Sequence, residues 1–492
     1  MEKKTYIKLS VILIVLATIL RFAFALTYAV SGDACWHLSA AKFMATENKI
    51  PVFENIGRMQ PFWPPPLFHF ASAFLYKLTA PISMNLADLS LKLASPIFGT
   101  LSVIILFFIA RRLFDERIAF FSMIFINFVP LFLDYSIFSY TDSTTTFFSV
   151  LSVYLILKNK HLLSAVSLGL AIIAKYNGIF MYPMLLYLTY RLIKDKNERL
   201  KNLFIMAVVP LIISSAWFLR NWILLKNPIW PFLNGIFDGI TRGASFNKID
   251  FSFIFNLNAY IGPYLEFFGL PNGGLNSLSF YNGPFIYYLF SLWVIGTMIF
   301  IYPFIKGLFQ NKSKEGNNYF MMSIKILLGS YLFMLFIYLA NVGWFGSRLL
   351  LPILPFMAIL WAKGMVSIKI KRFYLPLIIL IGCGFIFSEG VKLTIAANEW
   401  GLYEEDFNWV KANTNKDDLF YGNGQCLHYN IDRFVVSPPA KIDFNEVDYI
   451  WVNNEWRIEY HMNQEILSSI DNSDNLKMVY DKTGTTIYKV VR

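Results

Sequence analysis

Long apolar runs are the feature that most limits what this chain can fold into. Stretches of about 18 or more residues with few charges recur from the N-terminus to about residue 392, and each is long enough for a helix that crosses a bilayer core roughly 30 Å thick. Hydrophobic residues make up 56% of the chain and charged residues only 15%, so a soluble fold would expose too much apolar surface. The sequence therefore predicts a polytopic α-helical membrane protein.

Basic clusters in short loops predict how the helices are oriented. The clusters lie at residues 3–4, 111–117, 158–160, 191–201, 306–314 and 363–372. The positive-inside rule places all of them in the cytoplasm, which gives eleven crossings, a cytoplasmic N-terminus and an outer C-terminus. These loops account for much of the formal charge of +11, and no basic stripe indicates nucleic-acid binding. We expect an integral protein of the plasma (inner) membrane.

Residues 67–82 do not fit this pattern as a full crossing. They are apolar but short, and they follow Pro64-Pro65-Pro66. Counting them as a span would reverse every later loop and put the basic clusters outside. We therefore predict a juxtamembrane or re-entrant helix there, within an architecture of about 11–13 transmembrane helices.

Three segments are predicted to lie outside: the first outer loop, 31–66, the large outer loop, 226–283, and the tail, 393–492. Asp, Glu and Asn become frequent in the tail, and its pattern suggests two helices, two strands and a hairpin turned by Gly484. These elements are expected at 403–411 (helix), 419–421 (strand), 449–452 (strand), 463–470 (helix) and 478–490 (hairpin). The sequence thus divides into a transmembrane domain, 1–392, and a small extracytoplasmic α/β domain, 393–492.

The three cysteines, Cys35, Cys383 and Cys426, are far apart and show no C-x-x-C spacing. They suggest neither a zinc site nor a disulfide framework. A disulfide between Cys35 and Cys426 stays open, on the condition that both lie outside.

Two acids stand at the ends of apolar segments, Asp33 after the first span and Asp142 at the start of a later helix. The predicted topology places both on the outer face, and carboxylates there are costly without a partner or a task. Each has two interpretations: a proton acceptor or metal ligand, or a helix N-cap. His37, four residues after Asp33, shares its helix face and is either part of an acid–histidine or metal site or a plain interfacial histidine.

Five cations fall at a similar predicted depth: Arg21, Arg58, Lys175, Arg220 and Arg348. Each alone has an ordinary explanation, because long basic side chains extend their charge to water from the end of a span. Together, near two acids, they suit a lipid phosphate, which guanidinium groups bind through paired hydrogen bonds. This combination points to a membrane enzyme.

The order of these motifs resembles the GT-C glycosyltransferase superfamily over residues 10–365. The most similar branch contains dolichyl-phosphate-mannose protein mannosyltransferases and aminoarabinose transferases. The residues that carry the resemblance are Arg21, Gly32-Asp33, His37, Ala40-Ala41, Pro65-Pro66-Leu67, Arg111-Arg112-Leu113-Phe114, Tyr140-Thr141-Asp142, Ala174 to Gly178, Trp217 to Asn221, Asn227-Pro228, and Arg348 through Pro352 and Pro355. The chain departs from many relatives at Ala34, where they have Glu, and at Trp63-Pro64, where a basic residue often precedes the proline pair.

The resemblance implies an inverting transfer of a sugar from a polyprenyl or dolichyl phosphate to an acceptor hydroxyl on a glycan, lipid or protein outside the membrane. By this resemblance, Asp33 is the general base and Asp142 positions the acceptor, a cation or Lys175. The implied phosphate-binding residues are Arg58, Lys175, Arg220 and Arg348, with Arg21, His37, Glu54 and Tyr140 as further candidates. A divalent metal ion, if one is bound, would be held by Asp33, His37 and Asp142.

The alternative is a secondary transporter or lipid flippase. Such a protein would need polar residues on both sides of the membrane centre, whereas the ionisable residues singled out here gather on the predicted outer side. A non-catalytic assembly protein is a third interpretation, and it gives the acids and cations no joint role. The sequence therefore favours the enzyme.

Overall fold

A computed structural model describes all of the chain except residues 1, 31, 53–55, 58–60, 241–245, 247–248, 269–283, 310–314, 369–373, 402, 423, 437–445, 454–469, 471–472, 474 and 483. Among the described residues, six helices are long and apolar enough to cross a membrane, and three shorter apolar helices accompany them. This confirms the predicted polytopic helical membrane protein. Its orientation in the bilayer stays a prediction.

The helical part contains seventeen α-helices in the described residues. In chain order they are α1 (Lys3–Thr27), α2 (Asp33–Glu47), α3 (Leu67–Thr79), α4 (Met84–Ser90), α5 (Ala94–Leu113), α6 (Glu116–Phe128), α7 (Pro130–Tyr135), α8 (Asp142–Leu157), α9 (His161–Ala174), α10 (Tyr182–Leu192), α11 (Lys196–Leu225), α12 (Asn234–Phe237), α13 (Asn258–Phe267), α14 (Pro284–Phe309), α15 (Glu315–Val342), α16 (Leu354–Ser367) and α17 (Tyr374–Gly401). Short 3₁₀ segments lie at Leu91–Leu93, Tyr176–Met181, Phe251–Phe255 and Ser347–Ile353.

Small side chains let several helices of the membrane domain pack closely. Helix α8 packs against α5 and α9, and α16 packs against α6 and α14. The hydroxyl of Ser164 on α9 donates to the carbonyl of Ser152 on α8 at 2.7 Å. Between α14 and α16 the backbones nearly touch, since a Cβ on Gly307 would lie 1.9 Å from the carbonyl oxygen of Leu360. Such close approach is usual where small residues line membrane-helix interfaces.

Helix α3 is too short for a full crossing. Its 13 residues span about 20 Å at 1.5 Å per residue, less than the bilayer core of roughly 30 Å. The apolar segment predicted at 67–82 is therefore a short helix, as expected from the proline run before it. Its place beside or within the membrane remains a prediction.

The tail folds around one six-stranded sheet with the order β1-β3-β2-β4-β6-β5. The strands are β1 (Ile56–Gly57), β2 (Leu419–Tyr421), β3 (Phe434–Val436), β4 (Tyr449–Asn453), β5 (Leu476–Lys482) and β6 (Thr485–Val490), and two further helices are α18 (Glu404–Asn413) and α19 (Gly424–Ile431). The first four strands in this order are parallel, and β6 is antiparallel to β4 and β5. One face of the sheet buries Phe407, Phe420 and Trp451.

Most of the elements predicted in the tail are confirmed. Helix α18, strands β2 and β4, and the β5–β6 hairpin occupy the expected positions, and Gly484 makes the turn with φ +78°. The helix predicted at 463–470 lies almost wholly outside the described residues. Helix α19 and strand β3 were not predicted, because both are short and lack a clear period.

The tail is fastened to the first loop rather than standing apart. Cys35 on α2 forms a disulfide with Cys426 on α19, so the condition left open by the sequence is met. Strand β1 comes from residues 56–57 of the first loop and pairs with β3. Helix α17 also continues to Gly401, past the predicted boundary at residue 392. Strand β1 and the disulfide tie the helix that begins with Asp33 to the sheet domain.

Candidate active site

A cavity of about 370 Å³ lies among the ends of several helices. Five of the predicted site residues line it: Asp33, His37, Asp142, Lys175 and Arg348. Aromatic and aliphatic side chains form the rest of its wall: Trp36, Trp63, Tyr176, Phe180, Phe218, Phe232, Met334, Ile337, Tyr338 and Trp344 among them. The structure thus brings two acids, two cations and one histidine into a single, mostly apolar chamber.

Asp33 pairs with Arg348, although 315 residues separate them. The Nη2 atom of Arg348 donates to Oδ2 of Asp33 at 2.9 Å, and both side chains keep partial access to solvent, at 26% and 38%. The guanidinium also lies 5.1 Å from the centre of the Tyr140 ring. The backbone next to it is fixed as well, because the amide of Ser347 donates to Oε2 of Glu266 at 3.1 Å.

A glycine determines how Asp33 enters the site. Gly32 precedes α2 with φ +58° and ψ −141°, a conformation that is essentially restricted to glycine. Asp33 is the first residue of the helix rather than its cap, and the capping position makes no side-chain hydrogen bond. The N-cap interpretation of Asp33 is therefore wrong, and its carboxylate is directed to Arg348 instead.

Asp142 and Lys175 form a second, deeper pair. Their Oδ1 and Nζ atoms lie 2.5 Å apart, and the Asp142 side chain is 1% exposed. Helix α8 begins with Asp142, and Thr141 is at the capping position without a side-chain bond, so the cap interpretation fails here too. Among the described residues, the buried Oδ2 atom of Asp142 has no hydrogen-bond partner. A buried carboxylate oxygen without a donor favours binding of a group that can supply one.

His37 is bonded to a second histidine that the sequence analysis did not single out. Its Nδ1 lies 2.9 Å from Nε2 of His69 on α3, and both side chains are buried. Burial, with smaller effects from Arg348 and Lys175, holds the pKa of His37 well below its usual value, and burial together with His37 does the same for His69. The two rings are therefore neutral at physiological pH, with one donating and one accepting. His37 is not a plain interfacial histidine.

Tyr140 joins the two charged pairs electrostatically. Its pKa is raised by burial and then by Asp33, with a smaller contribution from Asp142, while Arg348 opposes the shift. The phenol thus stays protonated. The charges of Asp33, Asp142 and Arg348 all affect the pKa of Tyr140. The charges of Arg348 and Lys175 affect the pKa of His37. The four charged groups therefore lie close enough together to form one electrostatic cluster.

Stacked aromatic rings form one wall of the cavity. The ring centres of Trp63 and Tyr176 lie 6.4 Å apart and those of Tyr176 and Phe218 lie 5.9 Å apart, with nearly parallel planes. The Tyr176 hydroxyl donates to the carbonyl of Trp63 at 3.0 Å and accepts from Asn221 at 2.9 Å. Tyr176 and Asn221 lie in segments that carry the family resemblance, but the sequence suggested no role for either residue.

Arg220, predicted to bind phosphate, has a different environment. Its guanidinium donates to the carbonyls of Phe62 and Pro51 at 2.9 and 2.8 Å, and it lies 4.5 Å from the ring centre of Trp217. It does not line the cavity. The geometry therefore gives Arg220 the task of holding the first loop against α11.

Arg21 likewise has partners away from the cavity. It is buried and donates to Ser136 at 2.9 Å and to Asn127 at 2.6 Å, which joins α1 to the segment around α7. Two further candidates, Glu54 and Arg58, lie outside the described residues. Of the ten predicted site residues, five line the cavity. Tyr140 does not line it but contacts two residues that do, Arg348 and His37.

The donor set of the cavity does not fit a divalent metal ion. No group of three or more His, Cys, Asp and Glu side chains in the described part of the chain has suitable geometry. Asp33 and Asp142 are each bonded to a cation, and His37 and His69 are bonded to each other. Since the described residues do not gather three such ligands, the mechanism below assigns no step to a metal.

Comparisons with known proteins identify similar families and folds. A family model, dolichyl-phosphate-mannose-protein mannosyltransferase, matches residues 64–219, which include Asp142 and Lys175. Among solved structures, ArnT from Cupriavidus metallidurans in the apo state aligns with a TM-score of 0.64 at 13% identity over 97% of each chain. The same protein bound to undecaprenyl phosphate aligns with a TM-score of 0.54 at 13% identity over 97% of each chain.

A third match comes from an archaeon. The oligosaccharyltransferase AglB from Archaeoglobus fulgidus, in complex with an inhibitory peptide and a dolichol-phosphate, aligns with a TM-score of 0.51 at 13% identity. The alignment covers 98% of this chain and 74% of AglB. A search of curated protein sequences finds no significant match. Likeness at these identities establishes a shared fold across nearly the whole chain.

Proposed function

We propose that this chain, whose fold is that of the GT-C glycosyltransferases, transfers a sugar from a polyprenyl- or dolichyl-phosphate donor to an acceptor hydroxyl. The observation that supports it most is the convergence of two acids and two cations in one cavity, as the pairs Asp33–Arg348 and Asp142–Lys175. A soluble donor would not need an apolar chamber within a helical membrane domain. The ArnT and AglB structures with undecaprenyl phosphate and dolichol-phosphate support a lipid-linked donor.

Arg348 and Lys175 would hold the lipid phosphate. In the donor this phosphate is a diester with one negative charge, and the leaving phosphate gains further charge when its bond to the sugar breaks. Cations placed in advance at that position stabilise the transition state more than the bound donor, which is what accelerates the reaction. A guanidinium also matches phosphate oxygens through paired hydrogen bonds.

Asp33 would be the general base. The acceptor oxygen attacks the anomeric carbon on the face opposite the phosphate, its proton passes to the Asp33 carboxylate, and the electron pair of the broken carbon–oxygen bond leaves with the phosphate. The anomeric configuration inverts in this single displacement. A positioned base typically contributes about 10²- to 10⁴-fold in rate. Asp142 would hold Lys175 in place and could accept a hydrogen bond at Oδ2 from a sugar hydroxyl.

The cavity wall suits such a substrate. A volume of about 370 Å³ is in the range of small-molecule sites and accommodates a sugar with its phosphate. The stacked rings of Trp63, Tyr176 and Phe218 offer an apolar face to a sugar ring or to the first isoprene units.

We place the site on the extracytoplasmic side of the plasma (inner) membrane. The positive-inside rule gives this orientation from the basic loops. The disulfide between Cys35 and Cys426 supports it, because disulfides persist in oxidising compartments and are rare in the cytosol.

A transfer assay tests the proposal. The purified full-length protein, reconstituted in liposomes with polyprenyl-phosphate sugars, is supplied with cell-envelope acceptors, and mass spectrometry identifies the glycan formed. Matching analysis of envelope glycans after gene deletion would name the sugar and the acceptor. Solute flux across the liposome without any glycosyl transfer would reject the enzyme and favour the transporter.

A further inference from the structure

The cations that would bind phosphate are already bound to carboxylates. Arg348 donates to Asp33, and Lys175 donates to Asp142. If the proposed function holds, the Arg348 guanidinium has two possible anionic partners, Asp33 and the donor phosphate. The Asp33 carboxylate likewise has two roles, as the partner of the guanidinium and as the acceptor of a proton. Two positive and two negative side chains leave no net charge in this part of the wall, and the neutral His37 adds none.

The two pairs differ in how easily they can exchange partners. Asp33 and Arg348 are 38% and 26% exposed, so a ligand in the cavity can reach both. Asp142 is 1% exposed, and separating it from Lys175 would leave a bare carboxylate in a buried place. Breaking such a buried pair is far more costly than breaking a partly exposed one. Lys175 need not leave Asp142 to bind phosphate, because its ammonium carries three donors.

We propose that the donor phosphate displaces Asp33 from Arg348, while the Asp142–Lys175 pair stays intact. This inference rests on the proposed function and adds the order in which donor binding and proton transfer occur. The donor binds first and takes the guanidinium, and the released Asp33 carboxylate then accepts the proton of the acceptor hydroxyl. No atom or charge is unaccounted for, since one anion replaces another at Arg348 and the acceptor's proton ends on Asp33.

The exchange also has a consequence for product release. The lipid phosphate left after transfer carries more negative charge than the donor and would bind the two cations more tightly. When the protonated Asp33 gives up its proton to water, its carboxylate competes again for Arg348 and helps the product to leave. Asp33 thus serves both as base and as the competitor that limits affinity for the lipid phosphate.

The test measures binding of undecaprenyl phosphate to the full chain in lipid nanodiscs, a readout that requires no transfer. Asp33→Asn removes the competing charge, so the exchange predicts affinity roughly twofold to fivefold tighter than that of the unsubstituted protein, the range expected for a partly exposed ion pair. Arg348→Gln weakens binding. In the double variant Asp33→Asn/Arg348→Gln the tightening disappears, because it acts only through the guanidinium.

Asp88→Asn is the matched control. Asp88 also pairs with a cation, Lys42, at 3.1 Å and is 45% exposed, but it does not line the cavity. Lys42 keeps its other partner, Asp432, at 3.2 Å. This variant changes the net charge as Asp33→Asn does and should leave the affinity unaltered. If Asp33→Asn does not fold, Asp33→Ser makes the same comparison.

The outcomes distinguish the exchange at Arg348 from the proposed donor site itself. Unchanged or weaker binding by Asp33→Asn, together with weaker binding by Arg348→Gln, would overturn the exchange and leave the phosphate site standing. Equal tightening by Asp88→Asn would overturn it too, since the effect would then be one of overall charge. No binding of undecaprenyl phosphate by the unsubstituted protein, or no effect of Arg348→Gln and Lys175→Gln, would overturn the proposed donor site itself.

Discussion

Asp142 lies 2.5 Å from Lys175 and is only 1% exposed, whereas Asp33 lies 2.9 Å from Arg348 and is 38% exposed. The difference in burial separates structural from chemical effects. Loss of charge at the buried pair should appear mainly as loss of stability. Loss of charge at the accessible pair should appear mainly as loss of activity.

Asp33→Asn is expected to reduce sugar transfer by about 10²-fold or more, because the amide cannot accept the acceptor's proton. Its stability should change by no more than about 1 kcal/mol, the range for a partly exposed ion pair. Transfer assays and thermal unfolding of the same preparation check both parts. Transfer within a few-fold of the unsubstituted protein would remove Asp33 as the base.

Lys175→Met is expected to lower the free energy of unfolding by about 3 kcal/mol, because it leaves the Asp142 carboxylate charged and unpaired. The double variant Asp142→Asn/Lys175→Met should recover part of that loss. Glu198→Gln is the control, since Glu198 and Lys201 form an exposed pair at 3.5 Å whose loss should matter by less than about 0.5 kcal/mol. Equal effects of the buried and exposed substitutions would contradict the assigned burial.

Arg348→Ala is expected to raise the KM for the lipid-linked donor by about tenfold or more, with little change in the KM for the acceptor, because a charged hydrogen bond to phosphate is lost. Arg220→Ala should behave differently. Arg220 binds the carbonyls of Phe62 and Pro51, so its loss should lower stability more than donor affinity. Steady-state kinetics with each substrate varied in turn check the distinction. An unchanged donor KM in Arg348→Ala would reject its role at the phosphate.

The histidine pair predicts a loss of stability in mild acid. Burial lowers the pKa of both His37 and His69 in the folded protein, so between their folded pKa values and the unfolded value of 6.5 the unfolded chain binds more protons. Stability is therefore complete above about pH 6.5 and falls as the pH drops below it, by up to about 1.4 kcal/mol per pH unit for each histidine. Unfolding between pH 5 and 8, compared with the variant His37→Asn/His69→Asn, measures the difference. Equal slopes for the two proteins would show that the pair is not held neutral.

Gly32→Ala is expected to destabilise the protein by about 1 to 3 kcal/mol and to reduce transfer, because alanine does not adopt the backbone conformation that directs Asp33. Gly329→Ala is the matched control. A Cβ on Gly329 meets no atom within 4 Å, and alanine in the middle of α15 should be neutral or slightly stabilising. Differential unfolding and transfer assays of both variants decide the point. A Gly32→Ala protein as active as the control would show that this turn does not position Asp33.

The sequence was most informative where a single physical effect dominates. Apolar length predicted the membrane helices, and alternation with Gly484 predicted the β5–β6 hairpin. The gathering of Asp33, Asp142, Lys175 and Arg348 was expected because charge in apolar segments needs a partner. The confirmed GT-C fold adds weight to that expectation, although the roles of these residues remain predictions.

Contacts between segments that are far apart in the sequence could not be predicted from a single sequence. Nothing in the residues around Ile56 shows that it extends a sheet made nearly 400 residues later, and the partner of His37 is a lone histidine in an apolar helix. Arg220 was assigned to phosphate because arginine near a span end has two uses, and only its hydrogen bonds to backbone carbonyls distinguish them. The N-cap interpretations failed for a local reason: each helix begins at the aspartate itself.

The attachment of α2 to the sheet domain determines how late in synthesis Asp33 can be fixed in place. Cys426 is made 391 residues after Cys35, and strand β3, which pairs with β1, follows Cys426. A nascent chain interrupted before that point would carry Asp33 on a helix that still lacks both fastenings. Both fastenings of α2 can therefore form only after most of the chain has been synthesised.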